Sequence, residues 1–220
     1  TKPIVFTGAM RSSGDLGWDG PQNLIDAVRV AASADAAGVG TMVVMGSLIF
    51  AGLEDTKSHT HQLDAFESPG LGPLGVIDED RVIFRRRLLG VPAVLAPAAP
   101  ATPIDIVGTW AGCDARLLDA SRESGARGVV VAAMGRGNVP PEVVPGIERW
   151  LATGRPVVIA SRAGQGRVGR TYAYPGGGRK LHEMGALFAG ARRPAQARID
   201  LMLALGAGLD APALHALFDG

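Results

Sequence analysis

Lysine and cysteine are both scarce in this 220-residue sequence. Lys plus Arg number 22, yet lysine stands only at Lys2, Lys57 and Lys180; every other member of that set is arginine. The single cysteine, Cys113, excludes an internal disulfide framework. Aromatic residues make up 5% of the chain, too few for a base-stacking surface. A formal net charge of +1 excludes a global field for nucleic acid, and the one basic block is the "RRR" of 85–87. No run of about 18 apolar residues occurs, so no membrane partner is expected. No signal peptide is visible, but the chain opens at Thr1 on a strand-like segment rather than at Met. Localisation therefore stays open between the cytoplasm, slightly favoured, and the periplasm. What is present, 47% hydrophobic and 20% charged residues, suits a globular protein of one large domain or two small ones.

The pattern along the chain is α/β. "PIVFTG" (3–8) is a short apolar run ending in glycine, expected as a buried strand. A Gly/Ser/Asp loop follows. "DGPQNLIDAVRVAASADAAG" then predicts a helix, with Asp19 as N-cap, Pro21 early, Leu24, Ile25, Val28 and Ala31 at helical spacing, and Gly38 as the stop. "GTMVVMGSLIF" (40–50) reads as a second buried strand, and strand–helix–strand implies a parallel pair. "LGPLGVIDEDRVIFRRR" predicts a hairpin with Asp78-Glu79-Asp80 at its tip. The Pro/Ala-rich, uncharged segment 88–103 reads as a semi-rigid linker between a first domain (1–87) and a smaller second one (104–220). Beyond it the pattern restarts: strands over 104–110, 128–134 and 156–161, and helices over 114–124, 140–153, 181–189, 194–206 and 211–218. A parallel sheet follows from that order.

Five features invite a chemical reading. "GQGRVG" (164–169) matches a dinucleotide fingerprint, but "RTYAYPGGG" follows it where a helix must open, so no nucleotide cofactor is expected. His59 and His61 lie two apart with no third ligand at metal spacing, and are read as surface or hydrogen-bonding histidines; no metal is expected. Cys113 lacks a nearby histidine and reads as a packed small residue. "GRGN" (135–138) follows a strand, where ligands collect in parallel sheets, and Asn138 can donate and accept, or simply cap a helix. Lys57, in "DTKSHTH", is the remaining candidate. It reads either as a solvated surface lysine or, because a compact ammonium can lose its proton when desolvated whereas a guanidinium cannot, as a group that orients or activates a hydroxyl nucleophile.

An ordered set of segments resembles the bacterial-type L-asparaginase/glutaminase family: "KPIVFTGAMR" (2–11), "DGPQNLIDAV" (19–28), "GTMVVM" (40–45), "DTKSHTHQLDAFESP" (55–69), "GPLGVI" (72–77), "GRGNVP" (135–140) and "PVVIASR" (156–162), with "AQAR" (195–198) near the last helices. The resemblance implies two three-layer-like α/β domains with mostly parallel sheets, the first incomplete at its N-terminus. It implies an amidohydrolase in which a threonine hydroxyl attacks the side-chain amide of asparagine, or also of glutamine, and an acyl-enzyme is hydrolysed to the acid and ammonia. Lys57 matches the family lysine of a Thr-Asp-Lys group, and Ala9 the loop whose backbone lines the pocket.

The same resemblance implies a site completed by a neighbouring subunit, hence a homo-oligomer, a dimer or a dimer of dimers, with Asn138 among the contributed residues. The family's two threonine motifs are absent from these residues, so the nucleophile is expected upstream and the 220 residues alone are expected to be inactive. A glutamate that holds the substrate's amino group in some members should fall near 172–174. Here the sequence has "TYAYPGGG", which leaves Tyr172 or Tyr174 as substitutes and leaves the asparagine–glutamine preference open. Two alternatives accompany this reading: the asparaginase-like component of a tRNA-dependent amidotransferase, and a non-catalytic amino-acid-binding module.

Overall fold

The computed structural model describes residues 2–89 and 95–219, and the chain divides into two compact units, Thr1–Pro92 and Ala93–Gly220. That division falls inside the 88–103 segment read as a linker, whose residues 90–94 lie outside the described residues. Both units are α/β.

The first unit holds β1 (Ile4–Phe6), α1 (Gly20–Ala32), β2 (Thr41–Met45), β3 (Leu48–Ala51), β4 (Thr56–Lys57), β5 (Phe66–Glu67), β6 (Gly75–Asp78) and β7 (Arg81–Phe84). Five strands form one sheet in the order β1-β2-β3-β6-β7, and β4 pairs with β5 alone. The β1–β2 pair is parallel, as the crossover through α1 requires; the other pairs of that sheet are antiparallel. The run 40–50 is therefore two strands rather than the single one expected. Gly46 and Ser47 both take positive φ, 58° and 60°, the requirement of a two-residue hairpin whose twist matches its strands. The β6–β7 hairpin turns at Glu79, as the acidic tip suggested.

Helix α1 departs from expectation in its orientation. It stops at Ala32, and a 3-10 turn over Ala34–Ala36, capped by the Ser33 hydroxyl, replaces its last turn. Leu24, Ile25 and Val28 form the expected core face, yet they are 59%, 50% and 60% exposed. Asn23, Asp26, Ala27 and Val30 face inward instead, with Ala27 and Val30 packed on Met42, Val44 and Ile49. Burial of Asn23 and Asp26 is tolerable because both are bonded. Asp26 accepts from Ser47 Oγ (2.9 Å) and Gln22 Nε2 (2.9 Å) and pairs with Arg29 (3.1 Å).

The second unit holds β8 (Ile104–Gly108), α2 (Arg116–Glu123), β9 (Gly128–Ala133), α3 (Val144–Leu151), β10 (Val157–Ser161), α4 (Gly178–Glu183), β11 (Leu187–Phe188), α5 (Pro194–Gly206) and α6 (Ala211–Asp219). The helix expected over 181–189 ends at Glu183, and 187–188 become an edge strand. The sheet, β11-β10-β9-β8, is wholly parallel. Strand alternation sends Val129, Val131 and Ile159 to one face, against Leu118, Ile147 and Trp150. Val130, Val158 and Ala160 go to the other, against Ala197, Leu201 and Phe218. Both faces are covered, as an all-parallel sheet demands. Residues 95–103 pack here too: Leu95 lies on the second core, and Ala101 N donates to the Met202 carbonyl (2.8 Å).

Candidate active site

In the first unit the candidate residues sit where β1 and β2 end. Thr7 Oγ1 donates to the Val44 carbonyl (2.8 Å) and ties the two ends together. The next residues, Gly8 to Arg11, have no strand partner, so their polar groups need others. Asn23 Nδ2 donates to the Gly8 carbonyl (3.0 Å), and Asn23 Oδ1 accepts from Gly46 N (3.1 Å). Asp19 holds the N-cap position of α1, but its carboxylate does not cap the helix. It accepts instead from Met10 N (3.0 Å), Arg11 N (3.0 Å) and Asn23 Nδ2 (2.8 Å). Burial pushes this carboxyl up, but the backbone N–H bonds, those of Met10 and Arg11 foremost, together with Asn23 outweigh it and hold the carboxyl below its ordinary 3.8. Arg11 folds the loop back through Nη1 to the Leu16 and Gly17 carbonyls. Ala9 is thus an exposed residue in a loop pinned on both sides.

Lys57 lies on the short β4–β5 hairpin, opposite Phe66. Ser58 N donates to the Ala65 carbonyl (2.7 Å), and His59 Nδ1 accepts from His61 N and Gln62 N, both at 3.1 Å, which closes the loop. That is what the His-Thr-His pattern does: it folds a turn. A Cβ on Gly46 would meet the Leu63 carbonyl at 3.7 Å, so this loop and the Asn23–Gly46 contact occupy the same end of β2. The Lys57 side chain is exposed and, among the described residues, makes no hydrogen bond or ion pair.

In the second unit Asn138 closes a tight turn after β9, where Met134 and Asn138 exchange backbone bonds and Gly135 and Gly137 take positive φ. Its Oδ1 accepts from Gly178 N (3.2 Å), the first residue of α4. The glycine run explains itself here. A side chain at Gly176 would strike the Val139 carbonyl, at Gly177 the Tyr172 carbonyl, and at Gly178 the Gly169 carbonyl. Backbone-to-backbone packing so close requires glycine, and it brings the Tyr172–Tyr174 loop next to Asn138. The two tyrosine rings are half exposed, with centroids 6.3 Å apart. Ser161 Oγ donates to the Gly135 carbonyl (2.6 Å) and Arg162 Nη1 to the Thr109 carbonyl (2.8 Å), fixing the neighbouring strand ends. After "GQGRVG" no helix opens before Gly178. Cys113 is buried, with its Sγ accepting from Trp110 N (3.3 Å).

Asp19 as a loop anchor, Asn23, Thr7 and Ser161 carry no motif that singles them out in the sequence. The available signal is polar residues, Asn23 and Asp26, alternating with apolar ones along α1. Among the described residues no group of three or more His, Cys, Asp or Glu could hold a metal ion, and no helix is long and apolar enough to cross a membrane.

Two family models match the chain in order: the asparaginase N-terminal model over residues 1–89 and the glutaminase/asparaginase C-terminal domain over 103–218. The chain is similar to a probable L-asparaginase of Deinococcus radiodurans, 36% identical over 219 residues that cover 98% of this chain and 66% of the relative. It is similar to an L-asparaginase of Bacillus licheniformis, 34% identical over 93% of this chain and 63% of the relative. It is also similar to a component of the glutamyl-tRNA(Gln) amidotransferase of Pyrococcus furiosus, 34% identical over 94% of this chain and 48% of the relative. The chain spans about two thirds or less of the length of these curated relatives.

Proposed function

The chain belongs to the asparaginase/glutaminase family, and from that membership we propose that the protein hydrolyses the side-chain amide of L-asparagine, and in the same manner that of L-glutamine. The observation that carries this reading is the match of both family domains, in order, on one chain. The attacking threonine hydroxyl comes, in this proposal, from sequence outside these 220 residues. Its oxygen bonds to the amide carbon, the C–N bond breaks, and ammonia leaves with the hydroxyl's proton. Water then cleaves the ester, giving the acid and restoring the hydroxyl. Lys57 assists the first proton transfer through its free amine, a role for which its unengaged side chain is available. The pinned Ala9 loop supplies backbone to the pocket, and Asn138 with Tyr172 and Tyr174 reach the substrate from a neighbouring subunit of a homo-oligomer.

The test is ammonia release by the full-length protein. L-asparagine should be turned over, and Lys57→Met should lower kcat far more than it raises KM. Lys57→Arg should be as impaired as Lys57→Met, because guanidinium keeps its proton. Wild-type kcat in Lys57→Met removes the lysine from the mechanism, and no ammonia from either amide removes the reading itself. The 34% identity to an amidotransferase component supports a second reading, in which ammonia passes to a partner protein. Glutamine-dependent amidation of glutamyl-tRNA by the protein with its co-purifying partner, without free ammonia, would favour it.

A further inference from the structure

We propose that the second unit binds an apolar α-amino acid at the amino ends of β10 and β11, the end of the parallel sheet opposite Asn138. A cavity of about 350 Å³ opens there between the end of α3, the start of β10, the α4–β11 connection and the corner joining α5 to α6. That volume falls within the range of small-ligand sites. Its body is hydrocarbon: Leu187 and Leu214 are buried, and Leu205 and Leu209 half-buried.

Two oppositely charged side chains border the same cavity, and the third polar residue of the lining, His215, is already engaged in an interaction of its own. The Arg155 guanidinium is fixed in place. It lies over the Trp150 ring at 4.8 Å, Nε donates to Thr153 Oγ1 (3.0 Å), and Nη1 donates to the Ala126 carbonyl (2.6 Å). Among the described residues its Nη2 has no hydrogen bond and Arg155 has no acidic partner. Asp210 precedes α6, and its Oδ1 accepts from Ala213 N (3.0 Å). Among the described residues it has no cationic partner, and no ion pair joins it to Arg155. A guanidinium and a carboxylate that share a cavity without pairing leave one site for an anion and one for a cation, with leucines in the same lining. A zwitterion with a hydrocarbon side chain satisfies all three: carboxylate on Arg155, ammonium on Asp210, side chain on the leucines. A fatty acid would leave Asp210 unmatched, and an alkylamine would leave Arg155 unmatched. This site shares no residue with the proposed amide-cleaving one and stands or falls independently of it.

The probes are L-leucine, 4-methylpentanoate and 3-methylbutylamine, titrated calorimetrically into the full-length protein with Tm followed in parallel. L-leucine is expected to bind and raise Tm, at least tenfold more tightly than either truncated analogue. Asp210→Asn keeps the cap on α6, since asparagine caps as well as aspartate. It should weaken L-leucine about tenfold, the equivalent of one charge-assisted contact, and leave 4-methylpentanoate unchanged. Ala211→Trp, at an exposed lining position, should fill the cavity and abolish binding while leaving the unliganded Tm in place. No heat from millimolar L-leucine, equal affinity for leucine and both analogues, or undiminished binding in Ala211→Trp would each overturn the site. Lys57→Met, which tests amide cleavage, should leave leucine binding intact.

Discussion

Asp19 shows how much one carboxylate can organise. It gives the Met10 and Arg11 amides their acceptors and gathers Asn23, which in turn holds the Gly8 carbonyl and the Gly46 amide. Removing it strands two backbone donors beside the candidate pocket. Asp19→Ala should cost about 1–3 kcal/mol, seen as a lowered denaturation midpoint. Because the folded-state carboxyl titrates below its ordinary 3.8, its contribution is complete above that value and is lost as pH falls through the folded pKa. The Tm advantage of the wild type over Asp19→Asn should therefore be constant near neutral pH and shrink below about pH 4. An advantage that persists unchanged at lower pH would show that the ionised carboxylate is not what the loop needs. None of this is legible in the sequence. Asp19 before a Pro-containing helix start has the pattern of an N-cap, and the amides it serves belong to a loop with no pattern of its own.

At the level of elements, apolar periodicity locates α1 and Pro21 locates its start, but the face is inverted. Leu24, Ile25 and Val28 outnumber the apolar residues on the true inner side, and a period count cannot see that Asn23 and Asp26 have partners. Those partners, Gly46 and Ser47, arrive through a turn that the apolar run 40–50 conceals. The parallel sheet of the second unit is readable because its strands are buried on both faces and appear as unbroken Val/Ala runs. The use of Asn138 is not readable, since its Gly178 partner lies 40 residues away. The glycine run next to it gives a sharp contrast. Gly176 has a φ of 92° and its missing Cβ would sit on the Val139 carbonyl, so Gly176→Ala should cost at least about 2 kcal/mol. Gly164, with open space around it, should accept alanine within about 0.5 kcal/mol. Chemical denaturation of the two variants side by side checks both.

Across the whole molecule the two units differ in self-sufficiency. The second has its sheet sandwiched between two cores and carries Trp150 fully buried, with Nε1 bonded to the Leu118 carbonyl (2.8 Å). The first leaves Ile4, Phe6, Leu24, Ile25 and Val28 exposed. Expressed separately, residues 93–220 should give cooperative unfolding and little binding of a hydrophobic dye, and residues 1–92 should bind the dye and unfold gradually. Equal cooperativity in both would contradict the distinction. The order of the motifs along the chain reveals the family because several of them, such as 2–11, 40–45 and 135–140, run through a strand end or a tight turn, places where backbone geometry restricts residue choice. Lys57 has one last consequence, for chemical labelling. An amine-selective acylating reagent meets only three lysine side chains along these 220 residues, and the one on the β4–β5 hairpin has, among the described residues, no counter-ion to shield it. If Lys57 serves amide cleavage as proposed, its labelling should dim as substrate analogue is added, which mass spectrometry of a single tryptic fragment would follow.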